Sequence, residues 1–253
     1  MTYIEGFVIA VPAANKQKFI DHANLGDPVF LEQGATRILE CWEDNVPEGK
    51  HTDFFGAVDR QDGESVVFSW IEWPDKAKRQ AMEGQMEELM KTDDRFSQEK
   101  NPMPFDGMRM IYGGFQPIVE EGAAIADPYV QGFIVPVPEG NREAYRKAAL
   151  DMWDIMKDYG ARRLIEAWQD DVPHGKQTDF FRSVKAEDGE IVVFSLIEWE
   201  SREICDGAHD KMMQDERMKG FEDMGENMPF DGKRMVYGGF RPIVELTREG
   251  VGA

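Results

Sequence analysis

Cysteine is almost missing from this chain: Cys41 and Cys205 are the two thiols in 253 residues. Two cysteines build neither a disulfide framework nor a four-sulfur zinc site, and a reducing, cytoplasmic setting is the simplest expectation. Basic residues are scarce as well, with 29 Lys and Arg against 49 Asp and Glu and a formal net charge of −20. Such a surface repels phosphate backbones and anionic lipid, which argues against nucleic-acid and membrane partners. No apolar run approaches the roughly 20 residues of a spanning helix. The apolar segment Phe7 to Ala14 follows no basic stretch, and a close copy, Phe133 to Pro138, lies in mid-chain, so it reads as a strand and not as a targeting signal. What is present, 42% hydrophobic and 31% charged residues, suits an ordinary globular core.

The chain is written twice. Residues 3–73 align without a gap on residues 129–199 at an offset of 126, with 32 of 71 positions identical. Residues 103–120 align on 228–245 at an offset of 125, with 15 of 18 identical. Each unit is about 120 residues, an ordinary domain size, so two domains are expected at 1–121 and 127–247. A residue kept in both copies was needed by something both copies do. Histidine fails that test: none of His22, His51, His174 and His209 faces another histidine at the repeat offset, and no metal and no cofactor is expected. Cys41 faces Ala167, so a shared cysteine nucleophile is unsupported.

Periodicity gives each unit the order βαββαβ, the ferredoxin-like split unit. Tyr3 to Val11, Arg37 to Trp42, Val66 to Trp73 and Arg109 to Phe115 read as strands. Residues 15–33 and 75–96 read as helices. The copy of the first helix is clearer, because Tyr145, Ala149, Met152, Met156 and Tyr159 form one stripe that ends before Gly160. Asp53-Phe54-Phe55 is expected to open a short strand. A ferredoxin-like sheet carries its helices on one face and leaves the other bare, and the second unit is the obvious cover. The expected fold is therefore α+β, two tandem units packed sheet to sheet as an intramolecular barrel with a space between the sheets. The chain is expected to be a monomer with an internal pseudo-twofold axis or a homodimer.

Three stretches carry a resemblance: Gly34-Ala35 with Glu40-Cys41-Trp42 and Asp44; Val66 to Ile71; and Pro104-Phe105-Asp106-Gly107-Met108-Arg109-Met110-Ile111-Tyr112-Gly113-Gly114-Phe115. The second copy repeats them, ending in Pro229 to Phe240. These motifs resemble the YbaA-like family of bacterial proteins over nearly the whole of both units. The resemblance implies a dimeric α/β barrel built from one unit per chain, here fused into one chain. It implies no particular activity.

The candidate site residues are polar or aromatic and repeated. Ile38, Glu40, Trp42 and Asp44 share one face of the second strand. A glutamate between apolar neighbours is costly unless paired, so Glu40 and Glu166 are candidate acid–base residues with raised pKa values. The competing account is an ion pair with Arg109 or Arg234. Those arginines could instead grip a ligand carboxylate in bidentate fashion, or lock the units together. Trp42, Trp168, Tyr112 and Tyr237 complete the candidate ligand-binding set. Ser69 and Ser195 have no repeated histidine beside them, so a serine-hydrolase reading is unsupported.

Two function classes follow. In the first, a small molecule binds between the sheets for cofactor-independent acid–base, oxygenase or isomerase chemistry, a class this architecture supports by analogy. In the second, bulky repeated residues such as Phe68, Phe194, Trp73 and Trp199 fill the barrel, and the protein is a non-catalytic structural or interaction module. Cavity volume separates them, since a drug-sized ligand needs roughly 300–1,000 Å³.

Overall fold

The structure, a computed structural model, describes residues 2–220 and 228–248. The first half runs β1 (Tyr3–Pro12), α1 (Lys16–Gly26), α2 (Pro28–Glu32), β2 (Arg37–Asn45), α3 (Phe54–Ala57), β3 (Glu64–Trp73), α4 (Lys76–Thr92) and β4 (Ile111–Gly122). The second half runs β5 (Tyr129–Pro138), α5 (Arg142–Met156), β6 (Ala161–Asp171), α6 (Phe180–Ser183), β7 (Glu190–Trp199), α7 (Arg202–Met212) and β8 (Val236–Thr247). No helix among the described residues is long and apolar enough to cross a membrane.

Eight antiparallel strands close into a barrel in the order β1-β3-β2-β8-β5-β7-β6-β4. Two seams join the halves, β2 to β8 and β4 to β6. Each seam carries a proline, Pro242 opposite Cys41 and Pro117 opposite Ala167, beside a break in register. A residue without an N–H is tolerated where the ladder is already irregular.

Strand alternation divides the apolar residues between two cores. Leu39, Cys41, Val66, Phe68 and Trp70 turn into the barrel with their counterparts from the other half. Ile38, Trp42, Val67, Ile71 and Trp73 turn outward beneath the helices. The strands are therefore buried on both faces, which explains their near-continuous apolar runs.

The barrel is filled. Phe68 and Phe194 stack at its centre with ring centroids 4.6 Å apart and planes 3° from parallel. Phe240 and Phe115 flank them, each at 5.3 Å. Glycine makes the room: a Cβ at Gly6 would lie 2.6 Å from the Phe194 ring, and one at Gly132 would lie 2.9 Å from Phe68. The expected ligand space between the sheets is corrected by this stack.

The two barrel ends are closed differently. At one end, α3 and α6 insert Phe54 against Phe240 and Phe180 against Phe115, each at 5.1 Å. The segment expected to start a strand at Asp53 is thus a helical turn. Its carboxylate caps that turn by accepting from the Gly56 N–H at 2.6 Å, as Asp179 does from Arg182 at 2.7 Å. At the other end four buried charges, Arg37, Glu72, Arg163 and Glu198, cross between halves, with Glu120 and Glu245 at their rim. Arg37 donates to Glu198 (2.5 Å) and Glu245 (2.9 Å), and Arg163 donates to Glu72 (2.7 Å) and Glu120 (3.1 Å). The connecting segment docks on the same cluster: the Ile125 carbonyl accepts from Arg37 at 2.8 Å, and its N–H reaches Glu198 at 3.1 Å.

Candidate functional site

Because Arg37, Leu39 and Cys41 point inward, Glu40 points outward, into the layer between sheet and helices. Glu166 does the same in the second half. Each faces a serine on the neighbouring strand, Glu40 opposite Ser69 and Glu166 opposite Ser195.

Above Glu166 lies a cavity of about 220 Å³. Its floor is the sheet, with Glu166, Ser195, Phe133 and Val135, and its roof is α5, with Tyr145, Ala148, Ala149, Met152 and Met156. The α5 stripe that places these residues over the sheet is the one legible in the sequence. Glu166 is 8% exposed and, among the described residues, is the one carboxylate in a lining that is otherwise apolar apart from two hydroxyls. Tyr145 donates its hydroxyl to Glu166 at 2.7 Å. Burial pushes the Glu166 carboxyl up to about 7, against the opposing pull of hydrogen bonds from Tyr145 and Ser195. Burial and the adjacent carboxylate also drive the Tyr145 phenol well upward, so it stays a donor. A carboxyl poised near neutrality can give or take a proton at ordinary pH.

The first half is built differently at the same place. Ser69 donates to Glu40, and burial again pushes the carboxyl up. Phe19 stands where the second half has Tyr145, so no phenol reaches the glutamate. His22, Gly26 and Asp27 replace Ala148, Met152 and Trp153.

The other candidates fall elsewhere. Trp42 and Trp168 are buried two residues beyond each glutamate, under Lys16 at 5.0 Å and Arg142 at 5.8 Å respectively. Trp168 meets Tyr145 at 6.4 Å, which puts it beside the cavity wall. Arg109 donates to both oxygens of Glu64 at 2.6 Å, and to Asp106 at 3.0 Å. Arg234 binds Glu190 and Asp231 in the same way, with three contacts of 2.7 Å. Neither arginine meets Glu40 or Glu166; both pin the start of a last strand to the start of β3 or β7. Tyr112 and Tyr237 are 43% and 49% exposed on the outer surface. The structure thus joins Glu166 with Trp168 and separates both from the arginines and outer tyrosines. No cluster of three or more metal-ligating side chains occurs among the described residues.

Sequence reasoning missed Tyr145 as a partner of Glu166, because the repeat offset pairs it with Phe19 and a residue in one copy was discounted. It also missed Glu72 and Glu198, although both copies keep an acid inside the most apolar strand.

The chain matches the family described as a protein of unknown function, DUF1428, twice, over residues 2–107 and 128–232. The uncharacterised protein YbaA of Escherichia coli K12 is 54% identical over 117 residues, 46% of this chain and 97% of the relative. YbaA of Shigella flexneri matches to the same extent. Among solved structures, an anthrone oxidase-like protein is similar with a TM-score of 0.60 and 11% identity, over 98% of this chain and 93% of that one. A candidate monooxygenase from Lactobacillus acidophilus NCFM is similar with a TM-score of 0.56 and 12% identity, over 98% and 96%. At such identities the likeness is one of fold. The barrel, the double motif and the double family match agree, and the chain belongs to the DUF1428 family, with two copies of its unit in tandem.

Proposed function

We propose that the second repeat binds a small, mostly apolar molecule in the cavity above Glu166, and that Glu166 exchanges a proton with a hydroxyl or carbonyl oxygen of that molecule. The observation that carries this reading is one buried carboxyl, poised near neutral pH and held by Tyr145, in an apolar cavity. An apolar cavity of about 150 Å³ accepts benzene. The 220 Å³ here suits a single ring with small substituents. Anionic ligands are disfavoured, since no Lys, Arg or His lines the cavity among the described residues. The fold relatives described as an oxidase-like protein and as a candidate monooxygenase agree with proton abstraction as a first step, the part of such chemistry a lone carboxylate supplies. In this reading the chain is two ferredoxin-like units, residues 1–121 and 127–247, working as a cytoplasmic monomer with two free buried thiols.

The test is a titration with p-cresol, a neutral ring with one weakly acidic hydroxyl, followed through carbon-13-labelled methionine methyl groups. Shifts confined to Met152, Met156, Met228 and Met235 are expected, with affinity weakened about tenfold by Glu166→Gln for one lost hydrogen bond to an ionisable group. Unmoved methyl signals at millimolar p-cresol would sink the reading. That outcome would leave the non-catalytic interaction module, which the filled barrel favours.

A further inference from the structure

The first repeat holds a second cavity, distinct from the one over Glu166: a groove of about 790 Å³ between α1 and the chain from Lys100 to Asp106. That volume falls in the range of roughly 300–1,000 Å³ that organic ligands occupy. Its walls are pinned. Asn101 is buried and donates its side-chain amide to the carbonyls of His22 at 3.2 Å and Arg95 at 2.9 Å. Asn15 donates to the Pro104 carbonyl at 2.9 Å, and the Phe105 ring stands edge-on to His22 at 6.0 Å. The lining joins two kinds of surface. Leu25, Met103 and Phe105 are apolar, and the first two are 40% and 47% exposed. Lys18 and Asp21 are charged, and three residues apart on α1 they are neighbours on one face of the helix. The other charges of the groove are matched or absent. Arg109 holds Glu64 and Asp106, Lys100 is bonded to Asp94, and burial keeps His22 uncharged. Two charges are left over among the described residues: Lys18, and Asp21, which accepts from the neutral Gln17 at 2.9 Å.

We propose that this groove binds a small zwitterion with an apolar body, of the class of the aromatic amino acids, whose carboxylate meets Lys18, whose ammonium meets Asp21 and whose side chain lies against Leu25, Met103 and Phe105. Adjacent opposite charges match a head that carries both. A ligand with a carboxylate alone brings a like charge to Asp21, and one with an ammonium alone brings a like charge to Lys18. Walls fixed before binding spare the complex the cost of ordering them. An aromatic amino acid is smaller than the groove and shares it with water. In the second repeat the positions of Lys18, Asp21 and Leu25 are Ala144, Lys147 and Asp151, which supply neither the charge pair nor the apolar contact. The site therefore belongs to the first repeat alone, as the cavity over Glu166 belongs to the second.

The test is a titration of the full chain with L-tryptophan, and with indole-3-propionate and tryptamine as probes that each lack one charge, followed through carbon-13-labelled methionine methyl groups. The Met103 methyl should shift with L-tryptophan while Met152 and Met156 stay put, which keeps this site separate from the cavity over Glu166. Each singly charged probe should bind about tenfold more weakly, the effect of one lost charge-assisted contact. Lys18→Gln should weaken L-tryptophan and indole-3-propionate about tenfold without weakening tryptamine, and Asp21→Asn should weaken L-tryptophan and tryptamine without weakening indole-3-propionate. Both residues are exposed on α1, so neither substitution disturbs the core. A Met103 methyl unmoved by every aromatic amino acid at millimolar concentration would overturn the site. Affinities indifferent to both substitutions, or a singly charged probe that binds as tightly as L-tryptophan, would overturn recognition by the charge pair.

Discussion

Glu40 and Glu166 occupy equivalent positions on equivalent strands, each opposite a serine, yet a phenol reaches the second while the first repeat carries Phe19 at the equivalent place. The sheet was copied faithfully, while the helix above it was not. In the second repeat an unbroken α5 carries Tyr145 over the glutamate and leaves a cavity. In the first, the helix breaks at Asp27 and no phenol arrives. Burial pushes both carboxyls up to about 7, so what the helix layer changes is the partner and the space that each one meets.

The comparison rests on a symmetric frame, and the largest expected effect breaks that frame. Glu72→Ala and Glu198→Ala each take from a buried arginine of the other half its buried carboxylate, leaving the partly exposed Glu120 or Glu245 as partner. Losses of about 3–5 kcal/mol are expected for either variant in urea denaturation. Because the ion pairs cross symmetrically, the two losses should agree within about 1 kcal/mol; a larger gap would show that the frame is not equivalent in its halves.

Next in size is the pH dependence of the glutamate that Tyr145 holds. A carboxyl raised in the folded state binds more protons there than in the unfolded chain, so its ionisation lowers stability as pH rises from the unfolded value, near 4, through the folded value. For Glu166 the folded value is about 7. The rise from 4.5 to about 7 corresponds to at most about 3.5 kcal/mol lost by pH 8. Glu166→Gln should flatten that part of the stability curve measured between pH 4 and pH 8. A slope unchanged by the substitution would mean that Glu166 ionises as freely folded as unfolded.

A third, smaller effect exchanges the neighbours. Tyr145→Phe removes a hydrogen bond that favours the charged carboxylate, so the Glu166 midpoint should rise and stability should fall by about 1 kcal/mol. Phe19→Tyr should lower the Glu40 midpoint in return. Carboxyl titration by NMR reads both, and midpoints that stay put would mean that the phenol does not tune the carboxyl. Smallest of all, Tyr112→Ser and Tyr237→Ser alter exposed residues and should each change stability by less than about 0.5 kcal/mol.

Much of the architecture is legible in the residues because duplication supplies an internal control. Two copies of the apolar strand run from Val66 and Val192 declare strands buried on both faces, and the doubled Phe68 and Phe194 declare a filled centre once the barrel is closed. The site is less legible. The face of Glu40 follows from alternation, but which face looks into the barrel depends on closure through β2–β8 and β4–β6, and no local pattern reports that pairing. Arg109 and Arg234 show the opposite difficulty. Their partners Glu64 and Glu190 stand 45 and 44 residues away and meet them only through strand order. Tyr145 escaped because repetition identifies what both halves need and is blind to what one half has acquired.

The segment docked on Arg37 and Glu198 through Ile125 has an evolutionary consequence. When two identical chains assemble, every substitution appears on both sides of the axis, and a change helpful on one side is imposed on the other. A covalent join lets each half accept changes singly. Asp27 and Trp153 could not have arisen at one position of a symmetric pair; here they stand at the same address in two halves of one molecule, which makes the chain a record of inheritance and of divergence together.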